Sequence, residues 1–247
     1  AETENAVRWA IEAGYVHIDT AKIYGNEKGV GNGIRASGAN RKDLFVTTKL
    51  WNDDMRANRQ IEAFEESLKL LGFDYVDLYL IHWPVENFVA SWKTMETIYA
   101  SGRARAIGVS NFQTRHLDAV LASAKVVPAV NQVELHPYLT QEPLRKYCAG
   151  KGIAVQAWSP IGGQGNDLLN NALLKEIGDR YGKTPAQVVI RWHLQLGVIV
   201  IPKSVRRERI RENCAVFDFE LSPGEIAAIG GLNINRRNGS DPDNFSF

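Results

Sequence analysis

The sequence predicts an α/β protein of the parallel (β/α)8, TIM-barrel type, with seven of the eight expected strands present. Three observations predict it. Helix and strand patterns alternate along the chain. The strand segments are short apolar runs, as expected for a parallel sheet covered by helices. Each of them ends on polar residues, and in such barrels the chemistry gathers at the ends of the strands.

The elements follow in order. "ETENAVRWAIEAG" carries apolar residues at helical spacing and stops at Gly14. "YVHID" is a short strand, and "EKGVGNGIRASG" a loose helix ending at Gly38. "DLFVTTKL" is rich in β-branched residues and predicts a strand; "NRQIEAFEESLKLLG" predicts an amphipathic helix closed by Gly72. The pairs "YVDLYLIHW" and "NFVASWKTMETIYASG", "ARAIGVSNF" and "TRHLDAVLASA", "PAVNQVEL" and "QEPLRKYCAGKG" continue the alternation. "IAVQAWSP" is a strand followed by two helices, "NALLKEIGDRYG" and "TPAQVVIRWHLQLG". "VIVIPKS" and "RRERIRENCAVF" form the last strand and helix pair. "SPGEIAAIGGL" is a final helix with Ser222 as N-cap and Pro223 in its first turn.

Strands are thus expected near residues 15–18, 44–48, 76–81, 105–109, 129–133, 153–157 and 198–201. The first helix has no strand before it, so the expected barrel is N-terminally incomplete, its first strand lying upstream. A seven-stranded open sheet would leave apolar outer strands as edges. Residues 1–247 are expected to form one domain.

Composition narrows the function. Of 247 residues 45% are hydrophobic and 23% charged, and the formal net charge is +1. That balance gives no electrostatic case for a nucleic-acid or anionic-membrane partner. The cysteines Cys148 and Cys214 form no CxxC and have no histidine at zinc spacing, so no metal site is expected. Two isolated thiols, no signal peptide and no apolar run of membrane-spanning length predict a cytoplasmic protein.

The strand ends carry Asp19, Lys49, His82, Ser110 and Asn111, Asn131 and Gln132, Trp158 and Ser159, and Lys203 and Ser204. One polar strand end is explained by a turn; seven facing one mouth are not. A tyrosine phenol ordinarily ionises near about 10, too high for easy proton donation at neutral pH. A nearby ammonium, here Lys49, lowers that value, and a buried lysine needs a counter-charge, here Asp19. With Tyr24 as the phenol and His82 donating to an oxygen where charge develops, the set is a general acid beside a carbonyl. Taken singly, Asp19 reads as a turn residue, Lys49 as a surface lysine, His82 as a core histidine and Tyr24 as packing. Taken together, those readings need four independent coincidences. His17, His116, His136 and His193 have no evident chemical partner and read as structural.

The stretches "HIDTAKIYGNE", "TTKLWN", "DLYLIHWP", "IGVSNF", "VNQVELHP", "AWSP" and "IPKSVRRERIREN" resemble, in order and spacing, the signatures of the aldo-keto reductase family. The likeness runs from about residue 6 to about residue 220 and is greatest to its small microbial and protozoan branch, the diketogluconate-reductase-like and prostaglandin-F-synthase-like members. The tail "GSDPDNFSF" is similar to that branch too. The resemblance implies a (β/α)8 barrel binding NADPH without a Rossmann motif, preceded by an N-terminal hairpin that this sequence lacks together with the first strand. It implies Tyr24 as general acid, Lys49 and Asp19 as its tuning pair, and His82 orienting the substrate carbonyl.

It further implies that Ser110, Asn111 and Gln132 hold the nicotinamide carboxamide and that the nicotinamide stacks on Trp158, where most of the family has tyrosine. Ser159, Ile161 and Gly162 would run along the pyrophosphate. Lys203, Ser204 and Arg209 would clamp the 2′-phosphate, and Glu212 and Asn213 would contact adenine. A phosphate asks for several cationic donors that NADH would leave unpaired. Trp51 and Trp83 would wall the substrate pocket, while Arg206, Arg207 and Arg211 read as solvated. Two departures accompany the missing strand. Val16 stands where an arginine is usual. The loop in "WPVENFVASW" is short, which either opens the pocket on that side or reflects residues absent from the sequence.

The implied function is reduction of aldehydes and ketones, dicarbonyls and keto-sugars included, by a monomer acting on small molecules. The alternative from another class is a catalytically silent NADPH-binding regulatory protein on the same fold. A Schiff-base aldolase using Lys49 is the weaker third reading, since Asp19 would keep the lysine protonated.

Overall fold

A computed structural model describes residues 1–163, 166–245 and 247. The first half runs α1 (Glu2–Glu12), β1 (His17–Asp19), α2 (Glu27–Ser37), β2 (Phe45–Leu50), α3 (Asn52–Arg56), α4 (Gln60–Leu71), β3 (Leu78–Ile81), α5 (Phe88–Ala100) and β4 (Ile107–Ser110). The second half runs α6 (Thr114–Leu121), β5 (Val130–Glu134), α7 (Glu142–Gly150), β6 (Ala154–Trp158), α8 (Ala172–Tyr181), α9 (Pro185–Gln195), β7 (Ile199–Val200), α10 (Arg207–Cys214) and α11 (Pro223–Gly230).

The seven strands pair in parallel and in sequence order, β1 to β7. This is the curled sheet of a (β/α)8 barrel. Among the described residues β7 and β1 do not pair, and the inner face of α1 lines the space between them. Most strands begin one or two residues later than the apolar runs suggest. β1, β2, β4, β5 and β6 also end one or two residues later, so Asp19, Lys49, Ser110 and Trp158 lie inside the ladder, near its C-terminal end.

Local chemistry explains the boundaries. Gly38 and Gly72 close α2 and α4 in the left-handed conformation, at φ of 71° and 72°. Thr184 and Gln187 form a reciprocal capping box at the start of α9, and Ser222 and Glu225 do the same for α11, each with proline in the first turn. The glycines of α2 have a packing reason. A Cβ at Gly31 would lie 1.9 Å from the Leu71 carbonyl oxygen, so glycine lets α2 close against α4. The short α3, absent from the sequence reading, turns the chain directly after β2.

Alternation along the strands sorts the side chains. Tyr79 and Ile81 of β3 join the large apolar layer under the helices, while Leu78 and Leu80 meet Val130 inside the barrel. Lys49 sits in register with Leu80. At the opposite, N-terminal end, Asp77 is buried. It accepts from the Val46 amide at 2.9 Å and pairs with Arg41 at 2.7 Å and Arg105 at 3.1 Å. Among the described residues no helix is long and apolar enough to cross a membrane.

Candidate active site

The C-terminal ends of the strands open into a cavity of about 730 Å³. Asp19, Tyr24, His82, Trp83, Asn111, Gln132, Trp158, Ser159, Lys203 and Ser204 line it, and it continues along the inner face of α1.

Lys49 lies beneath this mouth and is fully buried. Burying an ammonium is costly unless it is paired and hydrogen-bonded. Lys49 Nζ meets that demand by pairing with Asp19 Oδ1 and donating to the Thr20 carbonyl at 2.8 Å. The second Asp19 oxygen accepts from Gln132 Nε2 at 2.8 Å, so the carboxylate is held from two sides. Nζ so engaged points at two oxygens rather than into the cavity, which counts against the Schiff-base reading.

Tyr24 sits on a one-turn 3₁₀ helix just past β1, with its ring centroid 5.2 Å from Lys49 Nζ. The expected depression of its phenol is not the net result. Crowding by the pocket walls raises it above the ordinary value; Lys49 pulls it down as expected, and Asp19 pushes it up again. Tyr24 is 51% exposed, so water at the mouth weakens the crowding, whereas the ammonium is fixed in place.

His82 stands edge-on to Tyr24, ring centroids 5.8 Å apart. Burial, and then the charge on Lys49, hold its imidazole well below the usual histidine range, so it is neutral at neutral pH. Its Nδ1 is buried without a hydrogen-bond partner among the described residues. A proton there would be an unmet buried donor, so the Nε2–H tautomer is assigned, leaving a donor for the pocket.

Around these four, Ser110 Oγ donates to the Gln132 carbonyl at 2.8 Å. Asn111 Nδ2 donates to the His82 carbonyl at 3.0 Å, and Asn111 Oδ1 accepts from Trp158 Nε1 at 2.8 Å. Asn111 and Ser159 hold positive φ of 65° and 47°, a strain that clusters at functional sites. Lys203 and Arg209 are exposed and, among the described residues, paired with no carboxylate, while the neighbouring Arg207 pairs with Glu12 at 3.1 Å. Free cations, amide and hydroxyl groups, and an indole wall make a donor set that fits a phosphorylated nicotinamide cofactor.

Not every expected residue reaches the cavity. Ser110 is buried behind it, and Ile161, Gly162, Arg209, Glu212 and Asn213 lie outside its lining. The Glu212 carboxylate accepts from Thr184 at 2.8 Å, bracing α10 against α9. His17, read as structural, lines the cavity, with its Nε2 3.0 Å from Thr47 Oγ1. Trp51 and Trp83 belong to an aromatic wall that the sequence reading saw only in part. Phe247 stacks on Trp51 at 6.0 Å, and Phe245 packs on Trp83 at 4.9 Å. The tail is pinned where Arg56 Nη2 donates to the Phe247 backbone oxygen at 3.0 Å and Arg115 pairs with Asp243 at 2.7 Å.

The fold defines a β/α-barrel protein whose mouth gathers a paired lysine, a phenol and a neutral imidazole. A model of the Aldo/keto reductase family matches residues 1–234, and the chain belongs to that family. It is 54% identical to the 9,11-endoperoxide prostaglandin H2 reductase of Trypanosoma cruzi over 247 residues, covering 99% of this chain and 87% of that protein. It is 49% identical to the glyoxal reductase of Bacillus subtilis, covering 100% and 89%. The structure superposes on an aldo-keto reductase from a deep-sea metagenome at TM-score 0.97 and 43% identity, covering 100% and 92%. It also superposes on a Bombyx mori aldo-keto reductase in complex with NADP at 0.91 and 40%, covering 98% and 87%.

Proposed function

We propose that the protein is an NADPH-dependent carbonyl reductase that converts aldehydes and ketones, small dicarbonyls included, to alcohols, with Tyr24 as the general acid. The observation that carries this reading is the convergence of Asp19, Lys49, Tyr24 and His82 at one cavity mouth. Family membership supports it, as do relatives named for reducing glyoxal and prostaglandin H2 and a structural neighbour that binds NADP.

Bound NADPH supplies the hydride. Neutral His82 donates Nε2–H to the carbonyl oxygen and orients it. As that oxygen gains charge, Tyr24 Oη gives up its proton, leaving a phenolate that the Lys49 ammonium stabilises. Asp19 holds Lys49 beneath the phenol, and Gln132 keeps Asp19 in place. Water at the open mouth restores the Tyr24 proton. In this reading Ser110, Asn111 and Gln132 hold the carboxamide, Trp158 offers the stacking face, Ser159, Ile161 and Gly162 follow the pyrophosphate, and Lys203, Ser204 and Arg209 take the 2′-phosphate. Glu212 and Asn213 are assigned to adenine, Trp51 and Trp83 to the substrate wall. The protein acts as a single-domain cytoplasmic monomer.

The test is consumption of NADPH, with NADH in parallel, against a panel of aldehydes and dicarbonyls. Turnover that prefers NADPH is expected. Binding of NADPH without turnover on any carbonyl would favour the silent regulatory protein instead.

A further inference from the structure

Glu134 ends β5 and His136 follows it; both are fully buried and neither touches the proton path. A buried carboxylate needs donors, and Glu134 finds them in a segment about a hundred residues away. Its Oε1 accepts from His136 Nε2 at 3.0 Å and from the Asn238 backbone amide at 2.7 Å. Its Oε2 accepts from the Gly239 amide at 3.0 Å. Burial alone would raise the carboxyl; these three donors outweigh it and hold it below its usual value. His136 Nε2 also lies 3.1 Å from Asn238 Nδ2, so the ring stands between the carboxylate and this segment; with Nδ1 buried and unpartnered among the described residues, the ring proton is assigned to Nε2, facing Glu134.

The segment so clasped lies against the indole of Trp158. Glu134 and Trp158 are register partners across β5 and β6. A Cβ at position 239 would stand 2.3 Å from Trp158 Cη2 and 3.2 Å from Cζ3. The glycine is therefore demanded by the tryptophan ring rather than by a left-handed backbone. At its other edge the indole donates Nε1–H to Asn111 Oδ1 at 2.8 Å. Asn238 Nδ2 also donates to the Gly162 carbonyl at 2.9 Å, tying the same segment to the loop after β6.

We propose that residues 238–239 form a strap, clasped by Glu134, that fixes the tilt of the Trp158 indole and through it the affinity for the nicotinamide cofactor. Glu134 and Gly239 are positioning residues: they act through Trp158 and touch no reacting atom. The proposal rests on the reading of Trp158 as the stacking face. It extends that reading by making the tail part of the cofactor site as well as of the substrate wall.

The experiment is a double-mutant cycle on Gly239→Ala and Trp158→Phe, reading the Kd of NADPH by calorimetry and the melting temperature of each variant. Gly239→Ala is expected to raise the Kd about tenfold, with kcat at saturating NADPH largely kept. In the Trp158→Phe background the same alanine should change the Kd less than about twofold, because the phenyl ring lacks the atoms it strikes. Glu134→Gln should weaken NADPH binding in the same direction. Equal weakening by alanine in both backgrounds would overturn the strap, since the effect would not run through the indole. Trp158→Ala separates the two levels. If it weakens NADPH binding while Gly239→Ala does not, the strap fails alone; if neither variant weakens binding, the stacking role of Trp158 fails with it.

Discussion

The two ends of one sheet each bury a carboxylate, and they satisfy it differently. At the N-terminal end Asp77 is met by Arg41 and Arg105, whose side chains are 15% and 60% exposed and reach outward to water. Arg41 is further held by the Leu44 and Tyr75 carbonyls and stacks on the Tyr75 ring at 4.2 Å. At the C-terminal end Asp19 is met by Lys49, whose side chain is fully buried. Two rigid arginine forks suit a permanent brace. A single buried ammonium beside a half-exposed phenol suits a charge meant to act on a neighbour. The difference separates stability from chemistry within one motif.

That contrast can be broken most sharply at its upper end. Lys49→Met is expected to lower kcat/KM by about a thousandfold and to cost about 3–5 kcal/mol of stability by leaving Asp19 buried without its partner. Carbonyl turnover together with urea denaturation checks both. The lower end should behave in the opposite way. Asp77→Asn keeps an oxygen for the Val46 amide, leaves Arg41 held by the Leu44 and Tyr75 carbonyls and lets Arg105 turn to solvent, so it should cost only about 1–2 kcal/mol. Its kcat/KM per folded molecule should match the wild type. A loss of turnover in that variant comparable with Lys49→Met would erase the distinction.

A separate effect comes with pH. Burial holds His82 well below the usual histidine range and His193 down at about 3. Below pH 6.5 the unfolded chain takes up protons that these folded histidines refuse. Stability is therefore fully present above about 6.5 and falls as pH drops toward the folded values, by about 1.4 kcal/mol per pH unit for each such histidine. Carboxylates held low, such as Glu225 at about 2, add their own loss only below their unfolded value of 4.5. Denaturation midpoints taken from pH 7 down to pH 5 measure the slope, and His193→Gln should remove one histidine's share of it.

Much of this was legible in the sequence. The helices announce themselves through apolar spacing and their glycine stops, and Asp19, Lys49 and His82 through being polar at the end of apolar runs. The net direction of the Tyr24 phenol was not legible, because crowding depends on walls brought in from several strands. The aromatic tail was equally opaque. Phe245 and Phe247 stand in a polar stretch with no apolar run around them, and their partners Trp51 and Trp83 lie far away along the chain. His136 reads as structural for the same reason, since the backbone amides that meet its neighbour Glu134 belong to residues 238 and 239. The brace between Thr184 and Glu212 is equally invisible in the sequence, since the two residues meet only in the fold.

Every role assigned around the mouth converges on Tyr24. The direct measurement is methylglyoxal turnover at saturating NADPH by Tyr24→Phe beside the wild type, with the NADPH Kd of each. A kcat lower by about a thousandfold is expected, with the Kd within about twofold. A variant that kept a kcat within about tenfold of the wild type would contradict the assignment of Tyr24 as the general acid.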